Sequence, residues 1–291
     1  MAGIDLSNEA VGKATEVAPG FWVIATRHHP GGSAKMPEIN NRCLVFKLEE
    51  AGTPLLLVVN GVDGAAIAQV QRIQEASGLQ VRYIVSPGGG HHFLMPHWQQ
   101  AFTDAKVLLP PARIPRTASG QKLLAMDRVE LMDAADPLPQ FRGQLDAVLF
   151  DGLYGVPDAP APGEGGSDGM GYMMRMMINM MFRVKDPIDE LWLHHVASGT
   201  VIGGENLGWM YPNADLQTQP MMIKSMVKPD RVYIFDGPRK VADKATVSKN
   251  WQRICAWPAK SVMTYHDVTG HAFHGDGQTA LREAATAVGQ L

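Results

Sequence analysis

The chain is poor in several residue types and patterns, and each shortage excludes something. Only two of its 291 residues are cysteine, Cys43 and Cys255. Each lies in an apolar stretch, so buried free thiols are expected rather than a bridge, and a reducing compartment fits. No run of lysine and arginine is long enough to track a phosphate backbone, and the formal net charge is -3. Nucleic acid is therefore not an expected partner. No stretch reaches the roughly 20 apolar residues that span a bilayer. The nearest, Met170 to Val184, is broken by Arg175 and Arg183. The first residues are acidic early and lack the basic-then-apolar order of a secretory leader. The expectation is a soluble, cytoplasmic protein with no membrane partner. Charged residues are only 19% of the chain against 45% hydrophobic, which excludes disorder and implies a sizeable core. One large domain, residues 1–291, is the default at this length.

What is present alternates between strand-like and helix-like runs. Phe21 to Ala25 and Cys43 to Lys47 read as early strands, rich in aromatic and β-branched residues. Leu55 to Val59 is wholly apolar and reads as a strand buried on both faces. After the Asn60-Gly61-Val62-Asp63-Gly64 turn, Ile67, Val70 and Ile73 recur at helical spacing until Gly78. Val81 to Val85 predicts another buried strand that runs into Ser86-Pro87-Gly88-Gly89-Gly90-His91-His92. Pro96 to Ala105 reads as a helix, and Val107 to Leu109, Leu145 to Phe150 and Glu190 to His194 read as strands. Gly152 to Gly171 is dense in Gly, Pro, Asp and Ser and reads as a long loop, so residues 151–186 form an expected insertion or lid. Arg231 to Phe235 and Ser261 to Tyr265 are expected strands, and Gln278 to Val288 a closing helix. The pattern is mixed α/β.

Histidines follow predicted strand ends at three distant places, where α/β folds assemble sites. Neutral imidazole and carboxylate together suit a transition metal. The candidate ligands are His91, His92, His97, His195, Glu205 and His266. Adjacent histidines on extended backbone point apart, so His91 and His92 need not serve one ion. The bland readings are a capping or surface role for His97, simple packing for His194, and solvated loop positions for His28, His29, His271 and His274.

The order of strand, Asn60 turn, helix, strand and histidine loop resembles the amino-terminal half of the metallo-β-lactamase superfamily. In that family the loop usually reads Thr-His-x-His-x-Asp-His. Ser86 stands at the Thr place, Pro87 and Gly89 replace the first two histidines, His91 replaces Asp, and His92 keeps the last His. The segment from His195 to Glu205 is similar to the strand pair that ends at a bridging carboxylate, with Glu205 for the usual Asp. His266 matches the final ligand, with Asp267 where a Gly commonly follows. The resemblance covers roughly Phe21 to Val288.

The resemblance implies a four-layer αββα sandwich and a metal site. Loss of two histidines implies one divalent transition ion rather than two, with zinc expected first and iron or manganese as alternatives. It further implies a hydrolase for an ester, lactone or amide, with Asp267 or Glu205 assisting proton transfer. Two other readings stay open: an iron or manganese redox or lyase enzyme, and a non-catalytic small-molecule binding or scaffold protein.

Seven methionines crowd residues 170–181: Met170, Met173, Met174, Met176, Met177, Met180 and Met181. No thiolate or histidine is interleaved, so an apolar lid, pocket wall or homo-oligomer contact is preferred to copper binding by thioethers. A Met-rich helix over the site predicts a small, apolar substrate.

Overall fold

The computed structural model describes residues 4, 6–28, 39–61, 64–88, 91–92, 95–155, 187–204, 210–211, 228–229, 239–241, 243–266, 273–274 and 276–287. The first sheet has seven strands in chain order. They are β1 (Ala14–Ala18), β2 (Phe21–His28), β3 (Ile39–Glu50), β4 (Thr53–Val59), β5 (Val81–Val85), β6 (Lys106–Leu109) and β7 (Val129–Leu131). From β1 to β4 the pairing is antiparallel, and from β4 to β7 it is parallel. The change of direction requires crossovers, and helix supplies the first of them. α1 (Gly64–Ser77) links β4 to β5, α2 (Met95–Ala101) lies between β5 and β6, and α3 (Ala118–Leu124) precedes β7.

A second sheet of six strands contains β8 (Leu145–Gly155), β9 (Pro187–His195) and β10 (Thr200–Gly203) in antiparallel succession. A short parallel pair, β11 (Met210–Tyr211) with β12 (Lys228–Pro229), stands apart from it. β13 (Arg239–Val241) adds to the β8 edge, β14 (Ser261–Thr264) pairs parallel with β10, and β15 (Phe273–His274) closes the far edge. α4 (Lys244–Cys255) and α5 (Gly277–Ala287) belong to this half. The α4 start is capped by Asp243, whose side chain accepts from Thr246 N–H.

Three hydrophobic clusters define the layers. The central one joins Phe21, Phe46, Leu57 and Val85 of the first sheet to Leu149, Leu191, Ile202 and Met263 of the second. A second packs the outer face of the first sheet, including Leu56 and Val58, against Val70 of α1, Trp98 of α2 and Leu123 of α3. The third packs Val148, Trp192 and Val262 against Trp251 of α4 and Leu281 of α5. The order is helix, sheet, sheet, helix. β4 shows why its sequence is apolar throughout: Leu55, Leu57 and Val59 face the central core while Leu56 and Val58 face the helices. Both cysteines are buried free thiols.

Some boundaries differ from the sequence reading. β8 continues to Gly155, so the first residues of the Gly/Pro-rich stretch are strand: after an irregularity, Leu153 and Tyr154 pair with Ile188 and Pro187. α2 ends at Ala101 rather than Ala105, where Thr103 and Asp104 turn the chain into β6. The remainder of the Gly/Pro-rich segment, the methionine-rich segment and the Arg231 to Phe235 stretch lie outside the described residues.

Candidate functional site

One end of the sandwich joins the two sheets through backbone. After β5, Ser86 N–H donates to Leu108 O at 3.0 Å, keeping the chain on the first sheet. The next residues cross over: Leu191 N–H of β9 donates to Pro87 O at 2.6 Å, and Gly88 forms an antiparallel bridge with Glu190. A turn closed by His91 N–H to Gly88 O, 3.1 Å, then presents the His91 ring. His266, just past β14, arrives from the second sheet. The two imidazoles face each other with centroids 5.5 Å apart and planes 37° apart.

The proton on His91 is held in place by its surroundings. Asn60 donates through Nδ2 to Asn41 Oδ1 at 2.8 Å and to the Arg42 carbonyl at 2.7 Å. With both amide protons committed to oxygen acceptors, Asn60 Oδ1 is the atom left to meet His91 Nδ1, 2.5 Å away. The imidazole must donate there, so Nδ1 carries a proton. Asn60 reaches this position from a left-handed backbone, φ +65°, which asparagine tolerates better than most residues. Gly61 beside it cannot be replaced: a Cβ there would lie 2.5 Å from Trp98 Cε2.

The structure brings His91 and His266 together and sends the other candidate histidines elsewhere. His92 turns from its neighbour, and its Nε2 lies 2.9 Å from Ser119 Oγ. His97 is exposed on α2. His195 ends β9 inside the central core, its ring 5.1 Å from Phe21 and 5.5 Å from Phe46, with Nδ1 2.9 Å from Ser198 Oγ. Burial pushes its pKa down to about 4, with the neighbouring His194 adding to the effect. His194 stacks on Trp257 at 5.6 Å and its pKa is also lowered by burial, partly opposed by Asp146. Glu205 and Asp267 lie outside the described residues.

Several polar residues at this corner were missed from sequence. Glu190 is 2% exposed, and its carboxylate occupies the space that a Cβ on Gly204 would need, 2.7 Å from Oε2. Asp189 is fully buried, accepts from Ala112 N–H, and has its pKa pushed up to about 6 by burial, against the pull of that bond and of Arg113. Tyr265 is buried beside His91, and desolvation, then the charge of Glu190, raises its pKa, so the phenol stays protonated. Two consecutive acids directly before the apolar Leu191-Trp192-Leu193 run of β9 are the available signal, since buried acids are rare without a function or partner. In the sequence Asn60 has the character of a turn residue, and nothing local marks it as the partner of a histidine 31 positions away.

The donor chemistry fits a transition metal. Two imidazoles on one tetrahedral ion, bound at about 2.0–2.1 Å, hold their ring centres roughly 5 Å apart, close to the 5.5 Å seen here. A histidine that donates its second N–H to a side-chain oxygen is the usual arrangement around such ions. Among the described residues no three His, Cys, Asp or Glu side chains form a metal-holding group. At least one further donor is required.

No protein-family model matches the chain, and no curated protein matches it. Solved structures do. A β-lactamase domain protein from Burkholderia ambifaria is 15% identical over 97% of this chain and 76% of its own, with a TM-score of 0.51. A metallo-β-lactamase from Erythrobacter litoralis is 12% identical over 97% of this chain and 95% of its own, TM-score 0.51. Another from Hirschia baltica is 11% identical, covering 94% and 96%, TM-score 0.50. The chain has the metallo-β-lactamase fold.

Proposed function

We propose that this chain is a metal-dependent hydrolase of small, apolar esters, lactones or amides. The observation that carries the reading is the His91–His266 corner, where the two rings lie 5.5 Å apart and Asn60 Oδ1 holds a proton on His91 Nδ1. His91, His266 and Glu205 would hold one divalent transition ion, zinc in the first instance. The metallo-β-lactamases that share this fold support this assignment. When bound, such an ion polarises a carbonyl and makes water nucleophilic near neutral pH.

The chain's own residues do the rest. Asn60 fixes the tautomer and tilt of His91 through three hydrogen bonds. Tyr265, neutral and buried, walls the site beside His91 and adds no charge to it. Asp267 follows His266 directly and is assigned the transfer of a proton to the leaving group. The methionine-rich segment 170–181 is assigned the apolar wall that selects the substrate.

The test is elemental analysis of purified protein together with an ester, lactone and anilide panel, run with chelator and after re-addition of zinc, iron or manganese. About one ion per chain and a chelator-sensitive hydrolysis are expected. Metal-free protein that hydrolyses nothing on re-addition, or an iron-dependent redox activity without hydrolysis, would overturn the reading.

A further inference from the structure

The hydrogen bonds that set His91 do not end at Asn60. They converge on Arg42 of β3, a residue only 1% exposed. Its carbonyl accepts from Asn60 Nδ2 at 2.7 Å, which connects it to His91. Its backbone N–H donates to Tyr265 O at 2.9 Å, and its Nη1 donates to Thr264 O at 3.1 Å. Those two carbonyls immediately precede His266. Arg42 thus lies on a continuous bonded path between the two histidine segments, one hung from each sheet.

A buried guanidinium needs a counter-charge, and the amino-terminal segment provides it. Glu9 receives Arg42 Nε at 2.7 Å on Oε1 and Nη2 at 3.0 Å on Oε2, a bidentate pair with its own side chain 0% exposed. Leu6, three residues earlier, is fully buried in the central core and fastens this segment between the sheets. A buried ion pair is weak ground for stability alone, because an apolar pair of similar volume often serves as well. What an apolar pair cannot do is reach Thr264 O while being locked from the other side.

We infer that Arg42, locked by Glu9, is a positioning residue that holds the His266 segment in register with His91. The inference rests on the metal-site reading for its purpose but not for its geometry. It makes the amino-terminal segment that carries Glu9 part of the site's scaffold.

The test uses the full chain with the double substitution Glu9→Leu/Arg42→Met, which removes both charges together, and Arg42→Lys, which keeps the charge but loses the fork. Three quantities are read: thermal midpoint, cobalt(II) affinity by optical titration, and imidazole ¹⁵N–¹H correlations of the metal-free protein. For the double variant the expected result is a near-unchanged melting midpoint, a 10–100-fold weaker cobalt(II) affinity, roughly the loss seen when residues supporting a ligand are removed, and displaced His266 ring signals. The His91 ring should keep its Nδ1–H form, since its bonds to Asn60 run through the Arg42 backbone. Arg42→Lys should show the same changes to a smaller degree, and decides the matter if the double variant does not fold. Unchanged His266 signals and unchanged cobalt(II) affinity would overturn the proposal. If the wild type takes up no cobalt(II), the metal reading fails by itself, and the imidazole spectra alone decide the role of Arg42.

Discussion

Two sets of histidines sit at strand ends in this molecule, and they have opposite surroundings. His91 and His266 meet where the two sheets are joined, and polar side chains set the His91 tautomer. His194 and His195 end β9, one stacked on Trp257, the other among Phe21 and Phe46 of the core, and both are harder to protonate than a free imidazole. The same residue type at the same kind of location becomes a ligand candidate or a packing element according to what surrounds its ring. Desolvation disfavours the cation, for His194 even beside Asp146, while an amide oxygen on Nδ1 is the partner that a metal-ligating imidazole usually has.

Truncating one member of each set should separate the two environments most strongly. His266→Ala should reduce hydrolysis by at least about 1,000-fold, roughly 4 kcal/mol of barrier, with the melting midpoint nearly unchanged. His195→Ala should do the reverse: metal content is kept, and denaturant unfolding shows a loss of about 3 kcal/mol, as for other buried rings. Equal effects on both readouts in both variants would erase the distinction.

Burial of the second set also shows in the pH dependence of stability. The folded pKa of His195, about 4, is below its unfolded value of 6.5, so the unfolded chain binds more protons in between. The stability contributed is therefore present above pH 6.5 and lost as pH falls toward 4. Asp189 acts oppositely: with a folded pKa near 6 against 3.8, its contribution is full below pH 3.8 and lost as pH rises through 6. His195→Phe should flatten the acid side of the melting profile, and Asp189→Asn should raise the midpoint more at pH 7.5 than at pH 4. An unchanged profile in His195→Phe would show that this ring is not the group that titrates.

Smaller effects test the two outlying features. Asn60→Ala frees the His91 ring and should weaken metal binding by about 10–100-fold, the range for loss of a ligand's hydrogen-bond partner, as read by competition with a chelating dye. His97→Ala, on the exposed face of α2, should change stability by less than about 0.5 kcal/mol and leave metal content alone. A lost ion in that variant would move the site away from the His91–His266 corner.

Much of the fold was legible because local patterns carry it. The double-faced apolar run of β4, the 67–70–73 spacing of α1 and the β5-to-loop transition all appear where their sequences predict. β1, α3 and α4 were missed. β1 is short and only its Val17 is buried, while α4 alternates Val247, Trp251 and Ile254 with so many polar residues that its apolar stripe is narrow. The site was half legible. His91 and His266 stood out as histidines at strand ends, but so did His92 and His195, and no local rule separates them.

The alternation of strands and helices, the buried thiols and the histidines at three strand ends are properties of the local sequence. These depend on periodicity and composition within a few residues. Which histidines meet is set by the folded chain, because the partners that matter are far away in sequence: Asn60 for His91, Phe21 and Phe46 for His195, and Glu9 and Arg42 for the strand end before His266. Hydrogen bonding and desolvation act over a few ångströms of space, whatever the separation in sequence.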